Sequence, residues 1–151
     1  MEINGKATYF VAVKVLLRDG EKLLLIHDKW NVWELPGGRI KPHEFKKPLT
    51  EIVERKIREE LGDDVKYTEL KPTGTFFQVS RIEETGETDK QEARIFAIGF
   101  EAKYLGGKID LGDHHDEMKW VNVNDFDPLK LQDNDWMRGV ADYLNKIGEE
   151  E

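Results

Sequence analysis

Residues 34–64 read ELPGGRIKPHEFKKPLTEIVERKIREELGDD, two adjacent glycines and a charged stretch followed by a run of helical spacing that stops at Gly62. Pro48 suits a first helical turn and Gly62 a C-terminal stop, so the run predicts a helix over residues 48–61. With Leu49 at zero and about 100° per residue, Ile52, Val53, Ile57 and Leu61 fall in one apolar arc. Lys56 at about 340° and Glu60 at about 20° lie inside that arc, and Glu59 sits on its edge near 280°. Thr50, Glu51, Glu54 and Arg58 are mostly opposite and need only water. Ionised groups on an inward face are costly unless they are paired or bound to a metal. Two explanations fit. Lys56 could neutralise Glu60 four residues on, as Arg55 would Glu59; or Glu59 and Glu60 face a cleft and hold a hard divalent cation through carboxylate oxygens.

The flanking sequence supplies a sheet for this helix. TYFVAVKVLL and LLLIHD, joined across Asp19-Gly20, predict two strands whose near-continuous apolar runs suit burial on both faces. YTELKPTGTFFQVSRI and EARIFAIGFEAKYL predict two more, separated by a polar hairpin connection, EETGETDKQ, and MKWVNV predicts a short one after an acidic loop. DNDWMRGVADYLNKIG predicts a second amphipathic helix capped by Asn134 or Asp135. Strands interleaved with two helices imply an α/β or α+β sandwich around a mixed sheet.

The chain has 151 residues, 38% of them hydrophobic, which predicts one domain over 1–151. It has no apolar run long enough to span a membrane and no leader-like N-terminus, so a cytoplasmic address is expected. The absence of cysteine excludes disulfides, thiolate catalysis and cysteine zinc sites. A net charge of -8 argues against tracking a nucleic-acid polymer. A small anionic ligand would therefore need local cations or a metal.

Trp33-Glu34-Leu35-Pro36-Gly37-Gly38, then Glu44, then Arg55 through Gly62 together resemble the signature of the Nudix hydrolases. That signature is a glycine, a glutamate after five residues and, after seven more, Arg-Glu-apolar-x-Glu-Glu-x-Gly. The order of predicted elements is similar as well, and the resemblance covers nearly the whole chain. It implies a Nudix-type α/β/α sandwich and a hydrolase of a nucleoside diphosphate linked to another moiety: a nucleotide sugar, a dinucleotide or a nucleoside triphosphate. It makes Glu59 and Glu60 metal ligands with the Gly38 carbonyl, Arg55 the orienting cation and Glu44 the brace between loop and helix. The implied metal is Mg²⁺ or Mn²⁺.

The chain departs from the pattern in three places. Ten residues, not seven, separate Glu44 from Arg55; Lys56 stands where the family usually has a glutamate; and Asp63 replaces an apolar residue. Lys56 removes negative charge, so fewer cations are expected, and its ammonium becomes a candidate phosphate contact. If the missing glutamate was the base, another group must take its place. Family members often put a base or extra ligand in the loop before the Lys119-Trp120-Val121 strand, which points to His115 and then Glu117, while His114 reads as solvated. Here the loop is similar to that of the GDP-mannose hydrolase branch, and an imidazole suits base work near neutral pH. Trp30, Trp33, Phe76 and Phe77 are the aromatic residues that could stack on a nucleobase, one or two of them at the ligand and the rest in the core, with Trp33 and Phe77 assigned to the ligand and Arg81 to a phosphate. Attack at phosphorus is favoured over attack at the sugar carbon. The competing class is a binding module without turnover, with a Lys56-Glu60 pair in place of the metal. Whether a homodimer completes the pocket is open on the sequence.

Overall fold

The structure is a computed structural model describing residues 2–85 and 89–150. A small hairpin of β1 (Glu2–Ile3) and β2 (Lys6–Ala7) precedes the main sheet. That sheet contains β3 (Phe10–Asp19), β4 (Lys22–Asp28), β5 (Trp33–Glu34), β6 (Gly37–Arg39), β7 (Lys66–Tyr67), β8 (Lys71–Thr85), β9 (Asp89–Gly106) and β10 (His115–Asn122). Its spine runs β10-β4-β3-β9-β7, with β5 on β4, β6 on β3 and β8 on β9. The pairing of β3 with β9 is parallel, Phe10 opposite Ile95 through Arg18 opposite Lys103, and the other pairings are antiparallel. The sheet is therefore mixed, as expected.

Alternation along β3 divides the core. Val13, Val15 and Leu17 join Ile52, Val53, Ile57 and Leu61 of α1 (Leu49–Leu61) on one face. Ala12 and Leu16 point the other way and join Trp136, Val140 and Tyr143 of α3 (Asp135–Glu149). Helix α1 starts one residue after its predicted first position because Pro48 serves as N-cap, and Gly62 at φ 93° ends it, its N–H donating to the Arg58 carbonyl. Helix α3 is capped by Asn134, whose side chain accepts the Met137 N–H at 2.7 Å.

The differences from the sequence reading are local. The predicted strand over 67–82 is split into β7 and β8, and β8 and β9 extend into the expected polar connection, of which residues 86–88 lie outside the described ones. A short helix, α2 (Pro128–Leu131), and a single 3-10 turn, Pro42–Glu44, had no periodic signal to betray them.

Trp33 and Phe77 are corrected from ligand contacts to core residues. They are 8% and 1% exposed, and both pack in the core beside α3. Gly139 is the reason α3 comes so close: a Cβ there would lie 2.0 Å from the Phe77 ring. Neither ring offers a face to a nucleobase.

Candidate active site

The loop before α1 is fastened to it by a buried ion pair. Arg55 donates from Nε to Glu44 Oε2 and from Nη2 to Oε1, both at 2.6 Å, and the Lys41 N–H adds a third bond to this carboxylate. The Arg55 guanidinium, against the effect of burial, holds the Glu44 carboxyl down at about 2. Its remaining arm, Nη1, donates to Glu59 Oε1 at 2.7 Å.

Glu59 and Glu60 then part company. Glu59 is 43% exposed in its side chain and lies between Arg55 and Lys56, whose Nζ is 3.5 Å away. Burial works to raise its carboxyl, but Arg55 and Lys56 reverse this and hold it below the usual value. Glu60 turns inward and accepts the Gly37 N–H at 2.8 Å. There burial pushes the carboxyl up, with Lys14 and the Gly37 N–H opposing and Glu34 adding to the rise. Among the described residues no ion pair joins Lys56 to Glu60, which corrects that expectation: Lys56 turns to Glu59 and lies over Gly38, where an added Cβ would be 2.7 Å from Nζ.

A second polar chain enters from the sheet. Lys14, on the α3 face of β3 by its alternation with Ala12 and Leu16, is 3% exposed. Its ammonium donates to Glu34 Oε1 at 2.6 Å and to the Leu35 carbonyl at 3.0 Å, and stands 4.3 Å from the centre of the Trp136 ring. Burial works to raise the Glu34 carboxyl, but Lys14 and His115 override it and hold it at about 2. His115 Nε2 faces Glu34 Oε2 at 3.4 Å, while its Nδ1 is buried without a protein partner. Neither Lys14 nor Glu34 was singled out from the sequence. The available signal was a lysine interrupting the apolar run Val11–Leu17.

These residues line one cleft of about 290 Å³. It brings together Gly38, Glu60 and His115 with Lys14, Glu34 and Arg81, and leaves Glu117 out. A bulge in β10 between His115 and Glu117 shifts the register, and Glu117 falls beside His27 and Asp116 instead. Glu117, the second candidate for the base, therefore does not line this cleft. His27 donates from Nδ1 to Asp116 at 2.7 Å, a bond that raises its pKa. Arg39 forms the cleft wall near Arg81 and is paired with Glu83. A larger groove of about 740 Å³, at Arg18, Lys71, Lys103 and Tyr104, contains none of the box residues and lies at the far end of β3 and β9.

Glu60 is the residue best suited to hold a hard cation. It is an inward, half-buried carboxylate whose burial outweighs the pull of Lys14 and of its one backbone donor, Gly37. Gly38 lines the same cleft, whereas Glu59 does not line it and is already paired with Arg55 and Lys56. The oxygen donors fit a divalent cation of the Mg²⁺ type, with Lys56 standing where a further carboxylate would be.

The NUDIX domain model matches residues 8–144. The chain belongs to the NUDIX domain family. Nudix hydrolases generally use divalent metals. The nucleoside triphosphatase NudI of Escherichia coli O17:K52:H18 is 28% identical over 93 residues, 62% of this chain and 63% of that protein. The chain thus spans somewhat under two thirds of the curated relatives it matches. The MutT protein of Methanosarcina mazei Go1 superposes with a TM-score of 0.64 at 25% identity over 94% of both chains. An ADP-ribose pyrophosphatase of Streptococcus suis shares the fold, with a TM-score of 0.58 at 18% identity over 92% of each chain.

Proposed function

We propose that residues 1–151 act as a single Nudix unit that hydrolyses a nucleoside diphosphate linked to another moiety, with attack at phosphorus and Mg²⁺ or Mn²⁺ held at Glu60, Glu59 and the Gly38 carbonyl. The observation that carries this reading is Glu60: an inward carboxylate from the signature helix, opening on a cleft with Gly38 and His115 that is also lined by Arg81. The similarity to a nucleoside triphosphatase supports the substrate class. A cytoplasmic setting is part of this reading, and among the described residues no helix is long and apolar enough to cross a membrane.

When bound, the cation polarises a phosphoryl oxygen and offsets its charge. The protein groups do the rest. Lys56, stretched over Gly38, meets a phosphate oxygen that approaches that glycine. Arg81 meets the more distant phosphate. Ionised Glu34 accepts the Nε2–H of His115, which leaves the lone pair on Nδ1, the ring nitrogen with no protein partner. His115 is the base of this reading, with Glu34 and Lys14 as its positioning residues; Nδ1 is closed to solvent in this arrangement, so the ring turns to take the proton of a cleft water. The test is a panel of nucleoside triphosphates, dinucleotides and nucleotide sugars incubated with Mg²⁺ and separated by ion exchange. Cleavage between phosphates in one class supports the reading; free sugar with intact nucleoside diphosphate would move the attack to carbon, and a panel without products would overturn it.

A further inference from the structure

Trp30 stands apart from the other tryptophans. Trp33 and Trp136 are buried and Trp120 packs on Tyr104, whereas Trp30 is 63% exposed at the mouth of the cleft. Its loop is rigid without help from the indole. Asp28 Oδ1 accepts the N–H groups of Trp30 and Val32 at 2.8 and 3.0 Å, and the Val32 carbonyl accepts the Asp28 N–H at 2.9 Å. Asn31 takes the left-handed conformation at φ 63°, and its carbonyl accepts from Gln132 Nε2 at 2.7 Å. The Lys29 N–H donates to the His114 carbonyl at 3.1 Å, which ties this loop to the one before β10. Across that tie the Trp30 and His114 rings stack, with centroids 6.1 Å apart and planes 23° from parallel. Both line the cleft that holds Glu60.

Held at the cleft mouth by its loop and stacked on His114, the indole presents a fixed aromatic face to whatever enters the cleft. We infer that Trp30, steadied by His114, is the shelf on which the nucleobase of the substrate stacks while its phosphates reach toward Glu60; this rests on the nucleotide reading above. Such a shelf is indifferent to hydrogen-bonding edges and sensitive to ring size. Purines bind ahead of pyrimidines, because a fused ring covers more of the indole. The shelf also gives His114 a place at the ligand that a solvated loop histidine lacks.

Equilibrium titrations in Mg²⁺ with ADP, GDP, UDP and inorganic pyrophosphate test the shelf. Stacking of one base on an aromatic side chain is worth about 1–3 kcal/mol, so Trp30→Ala is expected to weaken ADP and GDP binding by about 5- to 150-fold. UDP should lose less, pyrophosphate should be unchanged within about twofold, and Trp30→Phe should recover most of the purine affinity. The exposed position makes Trp30→Ala a folded protein, checked by its melting temperature. If Trp30→Ala leaves the nucleotide affinities intact, or weakens pyrophosphate as much as ADP, there is no shelf although the nucleotide reading stands. If the wild-type protein binds pyrophosphate but none of the three nucleotides, the nucleotide reading fails and takes the shelf with it.

Discussion

Lys56 is the residue at which the chain departs most from its family, and its surroundings decide what removing it costs. Paired with a buried Glu60, its loss would have left an uncompensated charge; beside a 43% exposed Glu59 it would not. Lys56→Met should therefore cost only about 0–1 kcal/mol of stability in denaturant melts, while nucleotide affinity falls. Glu60→Gln should remove calorimetric Mg²⁺ binding with the fold retained, since the Gly37 N–H still finds an amide oxygen. His115→Ala should lower kcat by about 10²- to 10⁴-fold with a smaller change in KM, and Glu117→Gln, outside the cleft, should leave both near wild type in the same steady-state assay. The sequence made Glu60 legible because a helix has one inward arc. It hid Glu34 and Lys14, because a two-residue strand has no periodicity of its own and one lysine in an apolar strand gives no indication of its partner.

The turn from Glu44 to helix α1 is held by charge more than by apolar contact. Glu44 is 1% exposed in its side chain and takes both arms of Arg55, so Arg55→Met strands a buried carboxylate and should destabilise the protein by about 3–5 kcal/mol in urea melts. Glu59 loses its first partner in the same variant. Helix α1 and helix α3 were readable to within about a residue at their starts because Pro48, Gly62 and Asn134 mark their ends. The parallel pairing of β3 with β9 was not readable. Their partners lie 85 residues apart, and two apolar strands carry no mark of which neighbour or direction they will take.

Across the whole molecule, the polar chains set how it responds to acid. Glu34 and Glu44 are both held at about 2, below the ordinary 4.5, so each contributes stability that is complete above 4.5 and is lost as pH falls toward 2. Glu60 has the opposite sign: its raised value favours the protonated folded form, so its contribution declines as pH rises through and above 4.5. Glu59 is depressed as well, so lowered carboxyls outnumber the raised Glu60 and give a net fall in acid; denaturant midpoints should drop steeply between about pH 4.5 and 2, an arm that Glu44→Gln shortens. The central claim, that the cleft at Glu60 hydrolyses a phosphate-to-phosphate bond, is tested most directly by phosphorus NMR of the nucleotide panel in Mg²⁺ with wild-type and Glu60→Gln protein. The account predicts new phosphorus resonances from at least one nucleotide class with the wild type, and a rate at least about 10²-fold lower in the variant. Equal rates in the two proteins, or an unchanged spectrum with every nucleotide, would contradict it.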